Sequence, residues 1–226
     1  MDSRNEIDSQ LGLPAHRIWS YLSGGWLPFV LDVVHGLFAF LTRERQAGLY
    51  EMLEHDAVLE LGDPQGESAL YKKRQRVKFL QDHVIAFQDF AWGDGRVLAD
   101  YRCSPGVVVD RYKNGDRWNV LISLRETKSR GDNEDFHIQR RIIRGFTKNE
   151  EWWQLEMQHE TRWLKLSIIF PKRRPCQRAV LFEKTRNRVT VLNSESLANL
   201  PDGRQVLTWE KTRPKRFETY TIKWCW

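Results

Sequence analysis

From Leu49 onward, apolar and polar residues alternate with a period of two, the interval at which side chains on a strand return to the same face. In Ala69–Phe79, one face carries Ala69, Tyr71, Val77 and Phe79, and the other carries Lys72, Arg74, Arg76 and Lys78. Glu151–Phe170 alternates too, but its phase reverses. Trp153, Leu155 and Met157 set one phase, while Leu164, Leu166, Ile168 and Phe170 follow in the other. Such a slip requires a bulge or a turn near His159–Arg162. The apolar positions do not fall three and four apart, so a helix is not expected here. This stretch reads as the central sheet element.

Apolar runs bounded by turn signals mark further strands at Met52–Leu61, His83–Phe90, Arg96–Cys103, Val107–Tyr112, Trp118–Leu124 and Phe136–Phe146. In the last of these Phe136, Ile138 and Ile142 oppose His137, Gln139 and Arg141. Shorter ones follow at Ala179–Glu183, Arg188–Leu192, Gln205–Glu210 and Glu218–Trp226. Turn chemistry separates them: Gly62-Asp-Pro-Gln-Gly-Glu67, Trp92-Gly-Asp-Gly95, Ser104-Pro-Gly106 and Pro201-Asp-Gly203. Lys113-Asn-Gly-Asp116 is the strongest hairpin signal, because Asn-Gly tolerates the positive φ values of a type I′ turn. Short strands at roughly ten-residue spacing predict a mainly β fold, an antiparallel β-sandwich of Ig-like or related two-sheet architecture, over residues 49–226.

The first quarter of the chain has a different pattern. Residues 1–13 are polar and read as a flexible terminus. Residues 14–48 read as an apolar helical segment, densest in 26–41. On a helix, Trp26, Phe29, Val33, Leu37 and Phe40 would belong to a broad apolar surface. About sixteen residues fall short of the roughly twenty that span a bilayer. The segment therefore reads first as an assembly element, for a protein partner or a homo-oligomer, and second as a membrane-associating one.

Composition narrows the picture without naming a reaction. The chain has 226 residues, a net charge of +6 and ten tryptophans. Tryptophan buries a large area while needing a partner for its indole N–H, so most of these belong to a core and its edges. The three cysteines, Cys103, Cys176 and Cys225, have no metal-ligand spacing, and their odd number suits an intracellular, reducing compartment. Neither a metal site nor a cofactor is expected.

Two local resemblances can be drawn. Tyr101-Arg-Cys103, with Asp94 and Ala99 before it, resembles the tyrosine-x-cysteine strand of immunoglobulin variable domains. That family's partner cysteine has no counterpart upstream, so the resemblance implies a two-sheet core and no disulfide. Asp116, followed by Trp118–Leu124 and Glu126-Thr-Lys128, resembles the catalytic hairpin of restriction-type metal nucleases. It implies that Asp116 and Glu126 hold a divalent cation while Lys128 helps activate water.

Basic residues interleaved with aromatics form the remaining candidate surface: Lys72, Arg74, Arg76 and Lys78, then Lys172, Arg173 and Arg174, then Lys211, Arg213 and Lys215. On one face they would track a phosphate backbone while aromatics stacked on bases. Acidic residues are interspersed, which favours a solvated mixed-charge surface. The reading is thus a non-enzymatic β-sandwich that recognises a macromolecular partner or a ligand. Nucleic-acid binding is the first alternative and a metal-dependent nuclease the second.

Overall fold

The computed structural model describes residues 48–226. The expectations placed on residues 1–47, including the apolar helix with Trp26, Phe29, Val33, Leu37 and Phe40, lie outside the described residues.

Alternation produces strands wherever it was found. They are β1 Tyr50–Leu61, β2 Ser68–Phe79, β3 Val84–Ala91, β4 Arg96–Ser104, β5 Val107–Asn114, β6 Arg117–Lys128 and β7 Asn133–Ile143. The series continues with β8 Glu150–Glu156, β9 Thr161–Phe170, β10 Arg178–Glu183, β11 Arg188–Leu192, β12 Leu197–Asn199, β13 Gln205–Thr212 and β14 Thr219–Cys225. A single 3-10 turn at Ser194–Ser196 is the sole helical element among the described residues. None of their helices is long and apolar enough to cross a membrane.

The protein is mainly β and its sheets are largely antiparallel, as the pattern predicts, but there are three of them. A seven-stranded sheet runs β12-β13-β9-β1-β2-β7-β4, a four-stranded sheet β11-β10-β14-β8 and a three-stranded sheet β3-β6-β5. One pair, β1 with β9, is parallel, so the large sheet is mixed. Each small sheet buries its inner face on a different part of the large one. Leu59, Tyr71, Leu166 and Ile168 of the large sheet share a core with Trp153, Leu181 and Ile222 of the four-stranded sheet. Val77, Phe79, Phe136 and Ile138 share a second core with Phe87, Val120 and Ile122 of the three-stranded sheet. Filling two separate cores takes long strands, which is why β1 and β2 run to 12 residues each.

The phase reversal within Glu151–Phe170 is a change of sheet. β8 is an edge strand of the four-stranded sheet, whereas β9 lies inside the seven-stranded one between β13 and β1. The chain turns a corner at Met157–Glu160, so Trp153 and Leu155 face Leu164, Leu166 and Ile168 across one core. Backbone bonds pin both sides of the corner, from the Met157 N–H to Glu218 O at 2.9 Å and from the Met52 N–H to Glu160 O at 2.8 Å. Only the second half of the stretch is therefore central.

At the β5–β6 hairpin Asn114 pairs with Arg117, leaving Gly115 and Asp116 as the turn. Gly115 alone takes positive φ, at +58°, as the first residue of a type II′ turn does. The expected hairpin is present, with its turn one residue later than the Asn-Gly pair implied.

Candidate functional site

Polar residues interrupt the apolar inner face where the two cores meet. On β2 the inward series reads Ala69, Tyr71, Lys73, Gln75, Val77, Phe79. On β7 it reads Phe136, Ile138, Arg140, Ile142, and on β1 His55 precedes Ala57 and Leu59. Register aligns the interruptions, because His55 opposes Gln75 and Tyr71 opposes Arg140. Asp89 of β3 and Tyr101 of β4 complete the group. All are buried: Asp89 is 1% exposed, His55 4%, Arg140 6% and Lys73 7%.

Asp89 is the hub. Its carboxylate pairs with the Lys73 ammonium and accepts the Tyr101 hydroxyl at 2.8 Å. Burial alone would raise its pKa, but Lys73, Arg140 and the Tyr101 hydroxyl outweigh that and hold it below the usual carboxylate range. Burial draws the Lys73 ammonium below its ordinary range, against the pull of Asp89. The pair is ionic in our assignment, because the Tyr101 hydrogen bond and the Arg140 charge both favour carboxylate.

Arg140 donates from Nη1 to Val97 O at 2.6 Å and stands 4.4 Å from the centre of the Tyr71 ring. Among the described residues no carboxylate lies within ion-pair distance of it, and its Nε is buried without a hydrogen-bond partner. His55 receives Gln75 Nε2 at its Nδ1, 3.4 Å away, while its Nε2 is likewise buried and unpartnered. Burial, reinforced by Lys73, pushes the His55 pKa down to about 3, so the ring is neutral. Gln75 Oε1 is also buried without a partner, so either amide orientation, and with it either neutral tautomer, fits this contact.

A cavity of about 50 Å³ opens on this group. Its floor is Tyr71, Lys73 and Arg140 of the large sheet. One wall is Phe90–Asp94 at the end of the three-stranded sheet, and the other is Glu151–Leu155 of the four-stranded sheet. A smaller space of about 20 Å³ continues toward Tyr50 and His159, sharing His55, Lys73 and Phe90. Phe90, Trp92, Trp152 and Trp153 are the aromatic wall residues. Phe90 and Trp92 stack at 5.5 Å, and the Arg117 guanidinium lies 3.8 Å from the Phe90 centroid. Arg117 also reaches Glu156 at 3.7 Å, bridging the two small sheets. Two wall carboxylates stay clear of Arg140: Asp94 pairs with Lys148 at 2.7 Å, and Glu151 accepts the Lys148 N–H at 2.6 Å.

The basic stripe lies on the opposite, outward face of β2. Lys72 pairs with Glu60 at 3.7 Å, Arg76 with Glu54 at 3.6 Å, and Arg74 with both Glu54 at 3.3 Å and Asp135 at 3.0 Å. Lys72 and Arg74 line an open groove of about 550 Å³ with Arg102 and His137, a groove that Lys78 and Arg76 do not line. The later basic clusters hold the fold together. Arg174 donates to Pro64 O, Lys148 O and Asn149 Oδ1, each at 3.0 Å, and stacks on Trp226 at 4.1 Å. Lys211 pairs with the buried Glu183 at 2.9 Å, the Arg213 N–H donates to Arg162 O at 2.8 Å, and the Lys215 N–H donates to the Tyr220 hydroxyl at 3.3 Å. The Lys172 side chain lies against Gly203, and Arg173 is exposed.

The nuclease-like trio is not assembled. Asp116 sits in the turn before β6 and Glu126 near the far end of that strand, roughly 30 Å away at strand rise. Lys128 is engaged by Glu134 at 2.8 Å and Glu126 at 3.5 Å. Among the described residues no group of three or more metal-ligating side chains comes together.

No protein-family model matches the sequence, and no curated protein matches it. Solved structures do resemble the fold. A candidate nutrient-binding protein from Legionella pneumophila subsp. pneumophila str. Philadelphia 1 superposes with a TM-score of 0.52 and 11% identity, over 78% of this chain and 67% of that one. An M1 zinc metallopeptidase from Deinococcus radiodurans gives 0.47 and 9%, over 76% of this chain and 42% of the other. A candidate protease from Parabacteroides distasonis gives 0.46 and 10%, over 80% and 41%. At these identities the Legionella likeness is one of fold alone. The chain spans about two-fifths of the length of the Deinococcus peptidase chain, 42%.

Proposed function

We propose that this protein is a non-enzymatic recognition module whose ligand enters the seam between the two small sheets. The observation that carries the reading is the placement of unpartnered, buried polar atoms, Arg140 Nε and His55 Nε2, on residues that line a preformed aromatic-walled cavity. Buried polar groups ordinarily find partners, and a cluster that leaves several without one at a cavity is arranged for something that arrives. The shifts favour binding over chemistry. With a pKa of about 3, His55 is a poor base at neutral pH, and burial pushes the Cys176 thiol up to about 11 and the Cys103 thiol upward as well. The expectation of an intracellular location rests on those free cysteines.

Nucleic-acid binding remains the second reading, supported by the groove beside Lys72 and Arg74. The cross-strand carboxylates of Glu54, Glu60 and Asp135 reduce the field this stripe presents to a phosphate backbone.

Hydrogen–deuterium exchange on the full chain separates these readings. The chain is titrated with a panel of neutral, cationic and anionic small molecules and with an oligonucleotide. Recognition in the seam predicts protection at Phe90–Asp94 and Glu151–Leu155 by one small-molecule class. Protection confined to Lys72–Lys78 by the oligonucleotide would replace it with the nucleic-acid reading. Turnover of any panel member would overturn the non-enzymatic reading.

A further inference from the structure

Resting on the reading of the seam as a ligand site, we propose that it takes a small monocarboxylate with an aromatic body, the carboxylate seated against Arg140 and the ring between the aromatic walls. The first support is the balance of charge. The cavity lining carries two cations, Lys73 and Arg140, and two carboxylates, Asp94 and Glu151, and both carboxylates are engaged by Lys148 rather than by Arg140. Asp89 is within ion-pair distance of Lys73, whereas Arg140 has no carboxylate within that distance and acts on Asp89 only from farther away. A guanidinium stays charged at any physiological pH, and a buried charge without a counter-ion is costly. A bound anion removes that cost.

The second support is the direction of the unmet hydrogen bond. Arg140 Nε is a buried donor without an acceptor. A cation or a hydrogen-bond donor would not satisfy it, and a carboxylate, which only accepts, does.

Size and shape supply the third. A cavity of about 50 Å³ has room for one or two waters, each occupying about 30 Å³ of liquid, or for a carboxylate head. It does not hold a drug-sized molecule. The rest of the ligand must lie toward the open side, where Trp92 is half-buried and Trp152 is 38% exposed. A flat apolar body is what such walls accept, through ring contacts that a phosphate or sulfate ion could not make.

The test is calorimetric titration and thermal shift on the full chain at constant ionic strength, with benzoate, benzamide, acetate and inorganic phosphate as probes. Benzoate should bind and raise the melting midpoint, while benzamide, the same shape without the charge, and phosphate should do neither. Acetate should bind more weakly than benzoate. Arg140→Gln should weaken benzoate by roughly tenfold or more, the loss of one charge-assisted contact. Trp152→Ala, at an exposed position that leaves the fold intact, should narrow the gap between benzoate and acetate. Absence of benzoate binding at millimolar concentration, equal binding of benzamide, or unchanged affinity in a folded Arg140→Gln protein would each overturn the proposal. If a neutral panel member protects the seam while benzoate does not bind, the recognition reading stands and only the ligand class fails.

Discussion

Lys73 and Arg74 are neighbours on β2, and each pairs with an aspartate on another strand, yet the two pairs live in different solvents. Lys73 and Asp89 lie inside, with side chains 5% and 1% exposed. Arg74 reaches Asp135 through Nε at 3.0 Å and Nη2 at 3.3 Å, with both side chains more than a third exposed. In water the attraction between such charges is offset by hydration and by side-chain entropy, and removing one partner leaves the other solvated. Inside, the desolvation of both ions has already been suffered, so each is stable only because the other is present. Arg140, one strand away on β7, has the same interior setting without the carboxylate. Geometry alone would rank the two aspartate pairs alike. Burial separates them.

Three perturbations probe that contrast, in descending size. Asp89→Asn strands Lys73 beside Arg140 and should cost about 3–5 kcal/mol in urea unfolding, whereas Lys73→Met combined with Asp89→Leu should recover most of the loss. A loss no larger than that of an exposed-pair variant would mean that the interior pair is solvated after all. The second concerns His55. Its folded pKa of about 3 lies below the ordinary histidine value of 6.5, so the unfolded chain binds the proton more readily. Its share of stability is complete above about pH 6.5 and is lost as pH falls toward about 3, by at most about 1.4 kcal/mol per pH unit. Unfolding measured from pH 7 to pH 5, above most carboxylate titrations, should show that slope in the native chain and a flatter one in His55→Gln. Equal slopes would place the ring in contact with water. The smallest effect belongs to Arg74→Ala, which should fall within the scatter of surface substitutions and shrink further in high salt. A large, salt-independent loss there would erase the distinction between the two faces.

Much of the fold can be read directly from alternation. Strands that bury one face, such as β1, β2 and β7, coincide with alternating runs, because burying one sheet face forces a period of two whatever the topology. By contrast β5, which buries no residue, does not alternate. The number of sheets does not follow from alternation. Trp153 and Leu164 point into one core from opposite sides, and the reversal of phase between them records the corner without saying whether the chain bends or changes sheet. The parallel pairing of β1 with β9 joins residues more than a hundred positions apart, and no local signal marks it.

The seam left a trace that the apolar pattern hides. Grouping Ala69, Tyr71, Val77 and Phe79 as one face leaves Lys73 and Gln75 in phase between them, and grouping Phe136, Ile138 and Ile142 leaves Arg140. A polar residue in the buried phase of two strands is the mark of an interior polar site, legible once the gaps are given the same weight as the hydrophobic positions. The outward Lys72, Arg74 and Arg76 drew attention because they are consecutive in phase, but their neutralising partners, Glu54, Glu60 and Asp135, come from other strands. Asp89 shows no such mark in sequence. Its partner Lys73 is sixteen positions away, and only the packing of the three-stranded sheet on the large one joins them.

The difference between the inner and outer faces of β2 has one most direct reporter. A crystal of the full chain grown with 4-bromobenzoate would locate the ligand by the anomalous signal of its bromine. Our account predicts that signal at the open side of the seam, between Trp92 and Trp152, with the carboxylate at hydrogen-bonding distance, roughly 2.7–2.9 Å, from the Arg140 guanidinium. Bromine in the outward groove beside Lys72, Arg74 and Arg102, with the seam empty, would contradict it.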